Sequence, residues 1–246
     1  MFPVTRGRSR SRSRSRISKS ERVARAVGEA PKHNQLKKCQ VAGNATIAKA
    51  SRTLYETALV DMLKQSTSEE IDRRDRDRCH VLGFHLNFQL SSNQGSPQTF
   101  SYAVIASKNS NTSTVSTTGF FRDFGFLRTQ NFAPAMNSLQ FAQYPINTDN
   151  WRVLGKWNVK INGTLDTAGG APDAMISRKV KFDRQITYSG SPDAPNTNVF
   201  VVYWTDVYGS TAGFPAIANC LSVIQSHVTF FSDEPTKNKK FGITIS

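Results

Sequence analysis

Cysteine, clustered carboxylates and long apolar runs are all scarce in this chain of 246 residues. The three cysteines, Cys39, Cys79 and Cys220, are odd in number and widely spaced. They suggest neither a disulfide framework nor a thiolate metal site, and they fit a reducing compartment. No apolar stretch is long enough to span a bilayer, and the first residues lack the apolar core of a secretory signal. The expectation is an intracellular, nuclear protein with no membrane partner. The sequons at Asn44, Asn111 and Asn162 are then chance matches.

Acidic residues are the second shortage. The chain has 18 Asp and Glu against 32 Lys and Arg, a formal charge of +14. Residues 1–40 hold twelve basic groups and two Glu, residues 41–78 seven of each sign, and residues 79–246 thirteen basic and nine acidic. Most of the excess charge therefore sits on a short N-terminal arm.

Signatures of catalysis are also missing. There is no GxGxxG, no phosphate loop ending in GK[ST], and no GxSxG; YGSTAG only approximates the last. Carboxylates are too sparse in residues 79–246 to offer a pair for acid–base work. His33 lies in the arm, His80 and His85 in a candidate strand, and His227 in a later one. A spacing of five residues puts His80 and His85 on opposite faces of a regular strand, which disfavours a shared metal. No enzyme activity, metal or cofactor is expected.

What the chain does have is a polycation. Arginine and serine alternate from Arg8 to Arg16. Residues 1–35 carry few bulky apolar side chains, so burial cannot offset chain entropy and residues 1–40 read as a disordered arm. Arg6, Arg8, Arg10, Arg12, Arg14, Arg16, Lys19, Arg22 and Arg25 are the candidate nucleic-acid-binding residues. Guanidinium contacts to phosphates carry no base information, so binding should tolerate sequence and fall steeply with salt. Arg8, Arg10, Arg12, Arg14 and Arg16 also read as a nuclear localisation signal for the nuclear import machinery. Lys237, Lys239 and Lys240 add a small basic cluster near the other end.

Residues 41–78 read as a linker with a short helix. Leu54, Ala58, Leu59, Met62 and Leu63 fall on one helical face, and Thr53 and Glu56 have capping-box spacing. EEIDRRDRDR (69–78) reads as a solvated mixed-charge helix or linker. From residue 80 the period becomes two. Leu82, Phe84, Leu86, Phe88 and Leu90 share one parity, a half-buried strand signal.

Further strands are expected at 99–107, 119–127, 151–161, 175–188, 198–207, 221–231 and 241–246, with a short helix around PAMNSLQFA. In 151–161, Trp151, Val153, Trp157, Val159 and Ile161 are expected on one face; in 175–188, Ile176, Val180, Phe182, Ile186 and Tyr188. NVFVVYWTDV is apolar on both parities, so it is either central in the core or covered outside by another chain. About eight strands and few helices indicate an all-β protein: an antiparallel sandwich, a jelly roll or a Greek-key barrel.

RDFGFLRT (122–129) approaches the RNP1 element of RNA-recognition motifs, but Asp123 and Thr129 occupy its glycine and final aromatic positions. Phe120, Phe121, Phe124 and Phe126 are instead read as core or interface aromatics.

YPINTDNWRVLGKWNVKI (144–161) and RKVKFDRQITYSGSPDAPNTNVFVVYWTD (178–206) resemble the capsid proteins of small circular single-stranded DNA viruses that encode a replication initiator (CRESS-DNA viruses). Those proteins are similar in turn to the coat protein of satellite tobacco necrosis virus. The resemblance implies a single eight-stranded antiparallel jelly roll over residues 79–246. It implies a homo-oligomer, an icosahedral shell of the simplest sixty-subunit kind, with arms facing inward on single-stranded DNA. It also implies a place in the virion and, during assembly, in the host nucleus. The competing readings are a coat protein of a small single-stranded RNA or satellite virus, and an Arg/Ser-rich cellular RNA-binding protein.

Overall fold

The computed structural model describes residues 36–47, 54–62, 64, 73–92, 98–108, 114–115, 117–122, 145–162, 174–189, 194–207 and 221–233. They fall within one compact unit, His33–Ser246. In chain order the elements are β1 (Lys37–Ile47), β2 (Tyr55–Ala58), β3 (Arg78–Ser92), β4 (Gln98–Ser107), the single helical turn α1 (Thr117–Phe120), β5 (Trp151–Ile161), β6 (Ala174–Ser189), the two-residue β7 (Ala194–Pro195), β8 (Val199–Val207) and β9 (Leu221–Ser232).

The strands form two antiparallel sheets with orders β1-β9-β3-β6-β7 and β2-β8-β4-β5. The pairing is nested: β1 with β9, β2 with β8, β3 with β6, and β4 with β5. It is a long antiparallel ribbon folded on itself. The β3–β9 and β4–β8 ladders then roll that ribbon into two sheets. This is jelly-roll connectivity. The inner faces share one core, in which the Phe88 ring lies 5.4 Å from Phe100, 5.4 Å from Tyr102 and 5.7 Å from Tyr203. Each such aromatic pair adds roughly 0.5–1.5 kcal/mol beyond its burial.

Two of the strands lie earlier than the alternation had indicated. β1 spans the boundary expected after residue 40, and β2 occupies the segment expected to be helical. Tyr55–Ala58 pairs with Phe200–Tyr203, and the ladder overrides the helical spacing of Leu54, Ala58, Leu59 and Met62. Glu56 caps no helix; its carboxylate accepts the Val115 N–H. Thr53 and Leu63 lie outside the described residues, as do residues 123–127, PAMNSLQFA and 241–246. The described start of the strand expected at 119–127 is α1 followed by a bridge from Phe121 to Ile146.

Single-residue insertions reverse the parity read from the sequence. Val81 and Gly83 pair with consecutive residues Phe231 and Phe230 of β9, so Leu82 is an extra residue. Cys79 and Val81 point inward before it, Phe84, Leu86, Phe88 and Leu90 after it, and Leu82 itself is only half-buried. Opposite, Phe182 and Asp183 of β6 together face Leu82, and Asp183 has φ 54°, a left-handed conformation that aspartate tolerates. A Cβ on Gly83 would lie 2.4 Å from the Val180 carbonyl oxygen, so the neighbouring backbone leaves room for glycine only. On β5, Leu154 is the extra residue. It separates Trp157, Val159 and Ile161, which pack on the inner core, from Trp151, which packs outside, and leaves Val153 exposed. The expected inward set on β6 is buried as read.

β8 is buried on both faces. Val199, Val201 and Tyr203 enter the core, and Phe200, Val202 and Trp204 enter a second cluster on the outer side of the sheet. The chain's own Val115, Phe120, Phe121, Ile146 and Trp151 join that cluster. Phe120 and Phe121 meet the Trp204 ring at 5.6 Å and 5.3 Å. Phe124 and Phe126 lie outside the described residues.

Candidate nucleic-acid interface

The nine arm residues Arg6 to Arg25 proposed for phosphate contact lie outside the described residues, as do Lys237, Lys239 and Lys240. What the structure describes is the root of the arm. Lys37 opens β1, and its ammonium group is buried beneath the turn formed by residues 73–77. Lys37 Nζ lies 2.8 Å from Asp75 Oδ2 and 2.7 Å from Asp233 Oδ2, and donates to the Arg73 carbonyl at 3.0 Å. The Asp75 N–H donates to Asp233 Oδ1 at 2.9 Å, which fixes the second carboxylate. Burial opposes the charge on Lys37, but the hydrogen bonds and charges of Asp233 and Asp75 outweigh it and hold the pKa above its ordinary value.

The neighbouring Arg74 is also buried. Its guanidinium stacks on the Tyr188 ring at 3.9 Å and donates to the carbonyls of Met62 at 3.1 Å and Arg76 at 2.7 Å. The Tyr188 hydroxyl donates to the Val60 carbonyl, and burial raises its pKa. Cys79 Sγ lies 3.9 Å from that hydroxyl, and burial pushes its thiol up to about 11. At the rim, the exposed Lys64 reaches Asp77 at 2.7 Å. The described part of the mixed-charge segment is therefore a turn with one buried ionic side chain, Arg74. Its opposite charges meet within this chain, drawing in Lys37 and Asp233 from the first and last strands.

Sequence reasoning missed Lys37, Arg74, Asp75 and Asp233. A faint signal existed: carboxylates are rare in this chain, yet one follows the last apolar strand directly at Asp233.

The histidines depart from expectation in one respect. Leu82 adds a residue between His80 and His85, so both side chains lie on the outer face of the five-stranded sheet. His80 Nε2 meets Asp183 Oδ1 at 2.9 Å and His85 Nε2 meets Ser177 Oγ at 2.8 Å. His227 is buried against Phe88, with ring centroids 4.8 Å apart, and burial lowers its pKa to about 4. Among the described residues no three His, Cys, Asp or Glu side chains come together as a metal site.

These elements define a class: a jelly-roll sandwich whose first strand continues from a polycationic segment and is held at its root by buried ion pairs. No family model matches the chain, and no curated protein matches it. Among solved structures, the chain is similar to one of Desmodium yellow mottle tymovirus at 11% identity and a TM-score of 0.31, over 84% of this chain and 93% of that one. A KI polyomavirus VP1 pentamer gives 9% identity and a TM-score of 0.30, over 80% and 95% of the two chains. The 60-mer BFDV capsid protein gives 7% and 0.25, over 84% and 98%. Similarity at this level says nothing of this chain's activity.

Proposed function

We propose that the chain is a viral coat protein that assembles into a small icosahedral shell and packages single-stranded DNA through its arginine-rich arm. The observation that carries this reading is the connection between charge and fold. Residues 1–36, with ten basic and two acidic side chains and a net charge of +8, lead directly in sequence into the first strand of a jelly roll. Arms that leave one side of every subunit concentrate positive charge where a genome's phosphates need neutralising. Buried ion pairs at Lys37 resist the pull of a bound polyanion on that strand. In this reading Arg8, Arg10, Arg12, Arg14 and Arg16 also direct nuclear import before packaging, and the subunit's task is structural rather than catalytic.

Removing residues 1–25 tests the reading, because the cut leaves Lys37 and the clamp intact. Nine basic residues at phosphates give a log–log salt slope of about −6 for single-stranded DNA. The truncated chain should keep its β-sheet circular dichroism and lose most of that slope. Electron microscopy of the full chain with single-stranded DNA should show closed particles. A chain that stays monomeric with nucleic acid, or a truncated one that binds undiminished, would refute the assignment.

A further inference from the structure

The outer face of the five-stranded sheet is graded in chemistry from one end to the other. At the end nearest Lys37, the register lines up Lys38, Phe230, Gly83 and Lys181 in one row across β1, β9, β3 and β6. The next row is Gln40, Val228, His85 and Lys179. Further along come Ala42, Ser226, Asn87 and Ser177, and the row after them holds the exposed Ile224 and Met175. Successive rows lie about 7 Å apart and neighbouring strands about 4.8 Å. The cations therefore occupy the half of the face adjoining the arm's root, and the far half is neutral.

Among the described residues, one carboxylate lies in the cationic half, and it is already engaged. Asp183, held outward at the bulge, meets His80 at 2.9 Å and Lys181 at 3.7 Å. Beside the lysines sits a half-buried aromatic ring, Phe230, with Lys38 Nζ 5.7 Å from its centroid. Exposed cations, amide and imidazole donors and an aromatic ring on one sheet face suit a single strand of nucleic acid, which offers phosphates and unpaired bases together. An acidic peptide would use the lysines and leave the ring without a purpose.

We infer that Lys38, Lys179 and Lys181, with Phe230, Gln40 and His85, form a second single-stranded nucleic-acid contact that takes up the strand where it leaves the arm. The inference rests on the reading of this chain as one that packages single-stranded nucleic acid. The lysines hold phosphates and Phe230 stacks on a base, so this contact prefers nucleic acid to other polyanions, whereas the arm binds any of them.

The test uses the full chain with a fluorescein-labelled oligothymidylate, read by anisotropy across a salt titration. Three lysines at phosphates predict that the triple variant Lys38→Ala, Lys179→Ala, Lys181→Ala flattens the log–log slope by about 2. All three side chains are exposed, so an unchanged melting temperature verifies the variant's fold. Photocrosslinking with an iodouracil-substituted oligonucleotide should mark Phe230, and polyglutamate should compete poorly for that crosslink. An unchanged slope with crosslinks confined to residues 1–36 overturns the inference and leaves the arm's role standing. Efficient competition by polyglutamate overturns it as well. Loss of binding in the triple variant, with none on removing residues 1–25, would instead sink the arm and keep the sheet.

Discussion

Replacing Lys37 with alanine puts the root of the arm to the hardest test. The Lys37 side chain is 8% exposed and Asp233 is 0% exposed, so Lys37→Ala strands a fully buried carboxylate opposite Asp75. Removing one member of a buried ion pair costs about 3–5 kcal/mol. For a chain of this size that lowers the melting temperature by roughly 6–20 °C. Asp75 is 27% exposed and can be rehydrated, so Asp75→Asn should cost less. Lys64→Ala at the exposed rim should change nothing measurable. Urea unfolding followed by the fluorescence of Trp151, Trp157 and Trp204 reads all three. The sign of the pH effect is fixed too. A lysine whose folded pKa is raised above 10.5 stabilises fully below that value and loses its contribution as pH rises through the folded pKa. The gap between wild type and Lys37→Ala should therefore persist at mildly alkaline pH and close only in the strongly alkaline range. A loss under about 1 kcal/mol, or a Lys64→Ala effect as large as that of Lys37→Ala, would refute the clamp.

Two further outcomes follow from buried groups. His227 falls from 6.5 in the unfolded chain to about 4 in the folded one, so the unfolded state binds its proton first on acidification. Stability should drop by about 3 kcal/mol between those two pH values, and a His227→Gln chain with the same acid slope would disprove this. Cys79, buried and pushed up to about 11, should escape iodoacetamide at neutral pH until the chain is unfolded. Peptide mapping of the native protein would show its modification if the thiol were accessible.

The all-β class and the long strands were legible because alternation persists over many residues, as in Phe84–Leu90 and Ile176–Tyr188. What alternation could not convey was where it slips. Leu82 and Leu154 are ordinary leucines in ordinary strands, and nothing in their type marks them as insertions. The slip follows from neighbouring strands reaching around a curved sheet, which is a tertiary cause. β2 was misread for a related reason. Leu54, Ala58, Leu59 and Met62 satisfy a helical spacing, yet they lie on an extended segment because β8 needs a partner. β1 was missed because its outward positions Lys38, Gln40, Asn44 and Thr46 are polar and its inward ones between Lys37 and Ile47 are small. The clamp was illegible because its parts come from residues 37, 75 and 233, joined only by the nested pairing.

That nesting has an electrostatic consequence. The first and last strands of a folded-over ribbon are partners, so Lys37 faces Phe231 and the arm's root adjoins the end of β9. The arm precedes this corner in sequence, and Lys237, Lys239 and Lys240 follow Asp233 within a few residues. The described residues next to both basic segments, Lys37 and Asp233, thus meet at one corner. The buried Asp233 and the half-buried Asp75 sit at that corner against Lys37, with Asp77 at the rim. Carboxylates placed there pair with Lys37 and leave Lys38 and Lys179 on the adjoining sheet face exposed. The same scarcity of acid that first set the arm apart therefore has a position in the fold. The few acidic residues at this end of the sheet secure the scaffold, and the surfaces assigned to the polyanion stay positive.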